Sequence, residues 1–198
     1  MLKLGIMGGT FDPIHNGHLI IAQEVAYKLN LERVLFVPAA DPPHKQQQLV
    51  ERVEHRLQMV RLAITGNPTF ELSTIEIERA GLSYTVDTLE TLHKQHPTTE
   101  LYFIIGADAA ADLLQWHKPE RIIELAHLAV VKRLGYELPL DKLLAALPQL
   151  QTRLERVTAP LVEIAAHEIR ERICKGAPVK YLVPPLVEEY IRHEKFYV

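Results

Sequence analysis

Two histidines three residues apart, His15 and His18, close a string that opens on paired glycines: Gly8-Gly9-Thr10-Phe11-Asp12-Pro13-Ile14-His15-Asn16-Gly17-His18. Glycines lack a side chain, so a ligand can approach their backbone closely. Apolar residues recur at helical spacing from His18 onward, which puts His18 at the start of a helix. The unpaired N–H groups and positive dipole end of a helix start favour an anion. Both imidazoles can therefore face a phosphate. The spacing is not the G-x-G-x-x-G dinucleotide fingerprint, so hydride transfer is poorly supported. There is no H-E-x-x-H, and no cysteine joins the histidines, which argues against zinc. A plain turn carrying surface histidines is the bland alternative, and the combined string outweighs it.

The elements that must position these residues alternate along the chain. Leu4–Met7, Val34–Val37, Leu101–Ile105, Leu128–Val131 and Leu161–Ile164 read as buried strands, and Phe70–Leu72 and Thr74–Ile77 as extended. Helical spacing covers His18–Leu29 and Val50–Ile64. Thr85 is placed to cap a helix carrying Val86, Leu89 and Leu92, and Pro119 to open one carrying Ile122, Ile123 and Leu125. Leu161–Ile164, the last of the strands, precedes a helix that stops at Lys175-Gly176. Continuous apolar strands alternating with helices imply an α/β fold, a Rossmann-like parallel sheet with helices on both faces. Ligands bind such sheets beyond the carboxyl ends of the strands. No repeat or linker interrupts the pattern, so residues 1–198 are expected to form a single domain.

Composition narrows the function. Hydrophobic residues make up 47% and charged residues 24% of the 198, as in an ordinary globular protein. A formal net charge of −3 gives no electrostatic case for binding polymeric nucleic acid. The single cysteine, Cys174, excludes an internal disulfide and reads as a small filler on a helix in a reducing compartment. The apolar run at the N-terminus is too short for a signal peptide, and none is long enough to span a membrane. A cytoplasmic protein with no membrane partner is expected.

The string from Gly8 to His18 resembles the signature of the nucleotidyltransferase superfamily, whose H-x-G-H stands here as His15-Asn16-Gly17-His18. Four further segments resemble bacterial-type nicotinate mononucleotide adenylyltransferases. They are Pro42-Pro43-His44-Lys45, Ser83-Tyr84-Thr85-Val86-Asp87-Thr88-Leu89, Ile105-Gly106-Ala107-Asp108 with Trp116-His117, and Ile164 through Arg170. The resemblance implies a nucleotidyltransferase fold and transfer of the adenylyl group of ATP to nicotinate mononucleotide, a step of NAD biosynthesis that releases pyrophosphate.

The physics of that reaction agrees with the residues. The attacking phosphate oxygen is already an anion, so no strong base is needed. Positioning and fixed donors must overcome repulsion between two anions. The resemblance assigns His18 as main donor to the α-phosphate, with Thr10 and His15 on neighbouring oxygens and Lys45 and Arg170 against the triphosphate. For ATP it implies Gly8, Gly9, Thr10, His15, Gly17, His18, Gly106, Asp108, Ile164 and Arg170. For the mononucleotide it implies Lys45, Tyr84, Thr85, Trp116 and His117, with Trp116 stacked on the pyridine ring and the Tyr84-Thr85 helix start offering N–H groups to the carboxylate. No protein metal site is implied; Mg²⁺ would be held through ATP phosphates and water. Read alone, Asp108 serves equally as a helix cap, Trp116 as core, and Lys45 or Arg170 as solvated charge. A homo-oligomer is left open.

Two departures from the family stand out. Ala165, Ala166 and His167 replace the usual serine, serine and threonine, which removes hydroxyls from the expected triphosphate end. Lys132-Arg133-Leu134-Gly135 lacks the proline that commonly precedes that glycine. Rival readings are another adenylyl- or cytidylyltransferase of the superfamily, and a catalytically silent nucleotide sensor.

Overall fold

Six parallel strands form one sheet in the computed structural model, which describes residues 2–41, 51–79, 81–132, 138–160 and 162–198. In chain order they are β1 (Lys3–Gly9), β2 (Arg33–Pro38), β3 (Phe70–Leu72), β4 (Glu100–Gly106), β5 (Ala126–Val131) and β6 (Leu154–Val157). Their spatial order is β3-β2-β1-β4-β5-β6. Winding therefore reverses between β1 and β4, which lie side by side with Ile6 opposite Phe103. In open parallel sheets that reversal leaves a crevice beyond the strand ends.

The helices are α1 (Asn16–Leu29), α2 (Val53–Ile64), α3 (Ile75–Arg79), α4 (Thr85–Gln95), α5 (Ala107–Ala111), α6 (Pro119–Leu125), α7 (Leu140–Ala146), α8 (Leu150–Arg153), α9 (Ala166–Cys174) and α10 (Pro185–Glu194). Side chains alternate across a strand, so the central strands feed two cores. Met7, Phe36, Ile104 and Ala129 pack on one face with Val25 of α1, Val60 of α2, Ile169 of α9 and Ile191 of α10. Ile6, Val37, Phe103 and Leu128 pack on the other with Ile75 of α3, Leu89 of α4, Ile122 of α6 and Leu150 of α8. The α/β parallel sheet with helices on both faces is as the apolar runs imply.

Four local expectations are corrected. Residues 162–165 carry no strand, and Leu161 lies outside the described residues; the sixth strand is Leu154–Val157, at the sheet edge. Its Glu155 and Arg156 interrupt the apolar signal, as an edge strand tolerates. Ile75–Arg79 is helical rather than extended, because Thr74 accepts backbone bonds from Ile77 and Glu78 and its hydroxyl binds the Glu78 carboxylate. Thr85 is the first helical residue; Tyr84, with extended backbone, stands at the cap without a side-chain bond. Cys174 sits on a helix as expected, but it is exposed rather than a filler.

Candidate active site

β1 ends at Gly9, and the chain turns through Thr10–Ile14 into α1. Phe11 and Ile14 are buried under this turn, at 2% and 0% exposure. Arg56 of α2, also buried, donates from Nη1 to the Thr10 carbonyl (2.7 Å) and from Nε to the Glu51 carbonyl (3.0 Å). Burial pulls its guanidinium below the ordinary range, against the opposing field of Asp12. A buried cation thus fastens the turn from behind.

His15 takes the N-cap of α1 with extended backbone, and His18 occupies the third helical position. The backbone N–H of His15 donates to Nδ1 of His18 at 3.2 Å. In neutral His18 the proton then sits on Nε2, which becomes a donor. The two rings stack with centroids 3.7 Å apart, and Phe11 meets His18 edge-on at 5.1 Å. Gly17 makes this packing possible, since a Cβ there would stand 3.0 Å from Nδ1 of His15.

A cavity of about 480 Å³ opens where β1 and β4 diverge. Gly8, Gly9, Thr10, His15, Gly17 and His18 line it, together with Gly106 and Asp108 from the end of β4. A Cβ on Gly106 would lie 2.5 Å from Oδ1 of Asp108, so only glycine lets that carboxylate lie over the strand end. Ile164, Ala165 and Ala166 bring the start of α9 to the cavity wall. Thr85 and Trp116 line it as well. Trp116 is half-buried, its ring edge-on to Phe103 at 5.9 Å. Among the described residues, no three His, Cys, Asp or Glu side chains group to hold a metal ion.

The start of α4 is braced by polar contacts. The Ser83 hydroxyl accepts the backbone N–H of Ala40 at 2.9 Å and of Asp41 at 3.3 Å, tying the chain after β2 to this helix start. Beneath it, Thr88 donates to buried Glu76 (2.7 Å) and accepts from Arg79 (3.1 Å). Glu76 and Thr88 both reach the cavity wall.

The family model for cytidylyltransferase-like proteins matches residues 6–172. The chain belongs to the cytidylyltransferase-like family. Within it, a probable nicotinate-nucleotide adenylyltransferase of Thermomicrobium roseum is 46% identical over all of this chain and 92% of its own length. One of Herpetosiphon aurantiacus is 45% identical over the full length of both. The Plasmodium falciparum nicotinic acid mononucleotide adenylyltransferase, solved with NaAD, superposes with a TM-score of 0.83 at 20% identity over 100% of this chain and 98% of that one, a likeness of fold.

Against this cytidylyltransferase-like frame, the candidate residues divide. Eleven of them line one cavity: Gly8, Gly9, Thr10, His15, Gly17, His18, Thr85, Gly106, Asp108, Trp116 and Ile164. Tyr84 and His117 stand beside each other, ring centroids 4.5 Å apart, but do not line it. Arg170 is turned to the rear of the loop, where Nη1 donates to the Asp12 carbonyl at 2.7 Å. Lys45, in Pro42-Pro43-His44-Lys45, and Arg133 lie outside the described residues. Sequence reasoning passed over Arg56, Glu76 and Lys132. Lys132 lines the cavity directly after β5, where a search of strand ends finds it. Arg56 and Glu76 have no such signal, because a charged residue in an otherwise amphipathic helix or a short extended segment reads as solvated.

Proposed function

We propose that the protein joins ATP and nicotinate mononucleotide to give nicotinate adenine dinucleotide and pyrophosphate. The observation that carries this reading is the stacked His15–His18 pair, with Nδ1 of His18 accepting the His15 N–H, in a cavity that also holds Trp116 and the start of α4. The mononucleotide phosphate oxygen attacks the α-phosphorus; a P–O bond forms in line as the bond to the β-phosphate oxygen breaks. Charge grows on the α-phosphate oxygens, and a donor fixed before reaction stabilises it without reorganising. His18 fills that role, with Thr10 and His15 on adjacent oxygens.

Gly106 and Asp108 are the candidates for the ribose of ATP, and the open N–H groups of α9 for its phosphates. Lys45 and Arg170 are proposed to complete the triphosphate site, Arg170 by turning from its bond to Asp12. Trp116 offers a face to the pyridine ring, with Tyr84 and His117 adjoining. The first N–H groups of α4 are donors that favour a carboxylate, with two anionic accepting oxygens, over an amide, whose NH₂ hydrogens they cannot accept. Mg²⁺, which neutralises phosphate charge, fits a cavity whose wall includes carboxylates such as Asp108; it would be held chiefly by phosphate oxygens and water. We place the protein in the cytoplasm as a single domain; no described helix is long and apolar enough to cross a membrane.

Pyrophosphate release in magnesium buffer with ATP and either the acid or the amide mononucleotide tests the reading. Fast release with the acid and much slower release with the amide is expected. Equal rates would remove the argument from the α4 start, and release with neither would restore the sensor alternative.

A further inference from the structure

The C-terminal tail reaches back to the histidine-bearing loop. After α10, Lys195 and Tyr197 both take left-handed backbone, with φ of 58° and 63°. That region disfavours a side-chain-bearing residue, so surrounding contacts must hold the tail there. They are on hand. Phe196 meets His55 of α2 edge-on at 4.6 Å, and His55 in turn bonds the Tyr190 hydroxyl at 2.8 Å. Tyr197 then donates its hydroxyl to Oδ1 of Asp12 at 2.6 Å, across 185 residues of chain.

Asp12 is 3% exposed, too buried to be a surface charge. Its Oδ2 accepts the backbone N–H of Glu51 at 3.4 Å and lies 3.9 Å from Nη1 of Arg170, which also holds the Asp12 carbonyl. One residue before it, Phe11 abuts the His18 ring; three residues after it, His15 supplies the N–H that fixes Nδ1 of His18. Whatever clamps Asp12 therefore sets both neighbours of the His18 imidazole.

From this geometry we infer that Tyr197 is a positioning residue for the transfer reaction, acting through Asp12 on the placement of His18. The inference rests on the adenylyl-transfer reading above. Burial raises the Tyr197 phenol far above its ordinary range, with the Asp12 charge adding to it, so the hydroxyl stays a donor at any working pH.

Tyr197→Phe removes only the hydroxyl and keeps the packed ring. It should lower kcat by ~10–10²-fold, the scale of a small misplacement of a reacting group. KM for nicotinate mononucleotide, whose proposed site is elsewhere in the cavity, should hold. Combining it with His18→Ala discriminates: a residue acting through His18 has no further effect once His18 is gone. An unchanged kcat in Tyr197→Phe overturns the inference, as does a loss of equal factor in both backgrounds, which would mark general structural damage. The unaltered chain is assayed alongside. If it transfers no adenylyl group, the parent reading falls and takes this inference with it.

Discussion

His18 is defined by a tautomer as much as by a position. Its Nδ1 is occupied by the His15 N–H, which leaves Nε2 as the donor. His18→Ala should lower kcat by ~10²–10³, the usual loss on deleting one preorganised donor to a transition state. ATP affinity should fall less, since backbone N–H groups still hold the ground state. Turnover close to that of the unaltered chain would move the role to His15. At this scale the sequence was informative where function compels an unusual string: the residues from Gly8 to His18, with Gly106, Asp108 and Trp116, could be singled out from spacing and resemblance. The buried supports outside that string could not. Arg56 and Glu76 are ordinary charged residues until the fold encloses them at 2% and 7% exposure. Their importance comes from burial beneath the loop and the α4 start, and burial of a charge has no periodic signature.

The elements were legible where they are long or apolar. β1, β2, β4 and β5 announce themselves as apolar runs, and α1 and α2 by a helical period. Short or edge elements were not: β6 has four residues with two charges at its centre, and α3 owes its form to the local bonds of Thr74. α9 poses the sharper question, since it begins Ala165-Ala166-His167 and its N-cap makes no side-chain bond. A helix start binds anions through backbone N–H groups whatever its side chains are. The two alanines should therefore leave the proposed triphosphate site weakened and working. Ala166→Ser should tighten ATP binding by about 0.5–1.5 kcal/mol, the net worth of one hydrogen bond, as read by calorimetry with a non-hydrolysable analogue. If that change instead converts an inactive chain into an active one, α9 had lost its part in catalysis.

Across the whole molecule the sheet separates chemistry from stability. The cavity lies beyond the carboxyl ends of the strands, while the opposite ends carry a second set of titratable groups. There His127 of β5 faces Tyr102 of β4 in register, the rings stacked at 4.8 Å, with Nδ1 of His127 buried and lacking a hydrogen-bond partner among the described residues. Burial lowers the His127 pKa from its ordinary 6.5, and Arg153 and Lys3 push the same way against Glu100 and Glu155. Well above pH 6.5 neither the folded nor the unfolded chain protonates this ring, so it contributes no pH dependence. As pH falls through that value the unfolded chain binds the proton first, and stability is lost until the lowered folded pKa is reached. His127→Phe keeps a stacking ring and abolishes the titration. Its melting temperature should fall less steeply than that of the unaltered chain between pH 7 and 5, where each 1 kcal/mol appears as about 2–4 °C. Pyrophosphate release at neutral pH should be unchanged, since His127 sits at the far end of its strand from the cavity. Parallel melting curves for the two proteins would mean that the folded chain accommodates the protonated ring, and that the buried Nδ1 finds an acceptor once it carries a hydrogen.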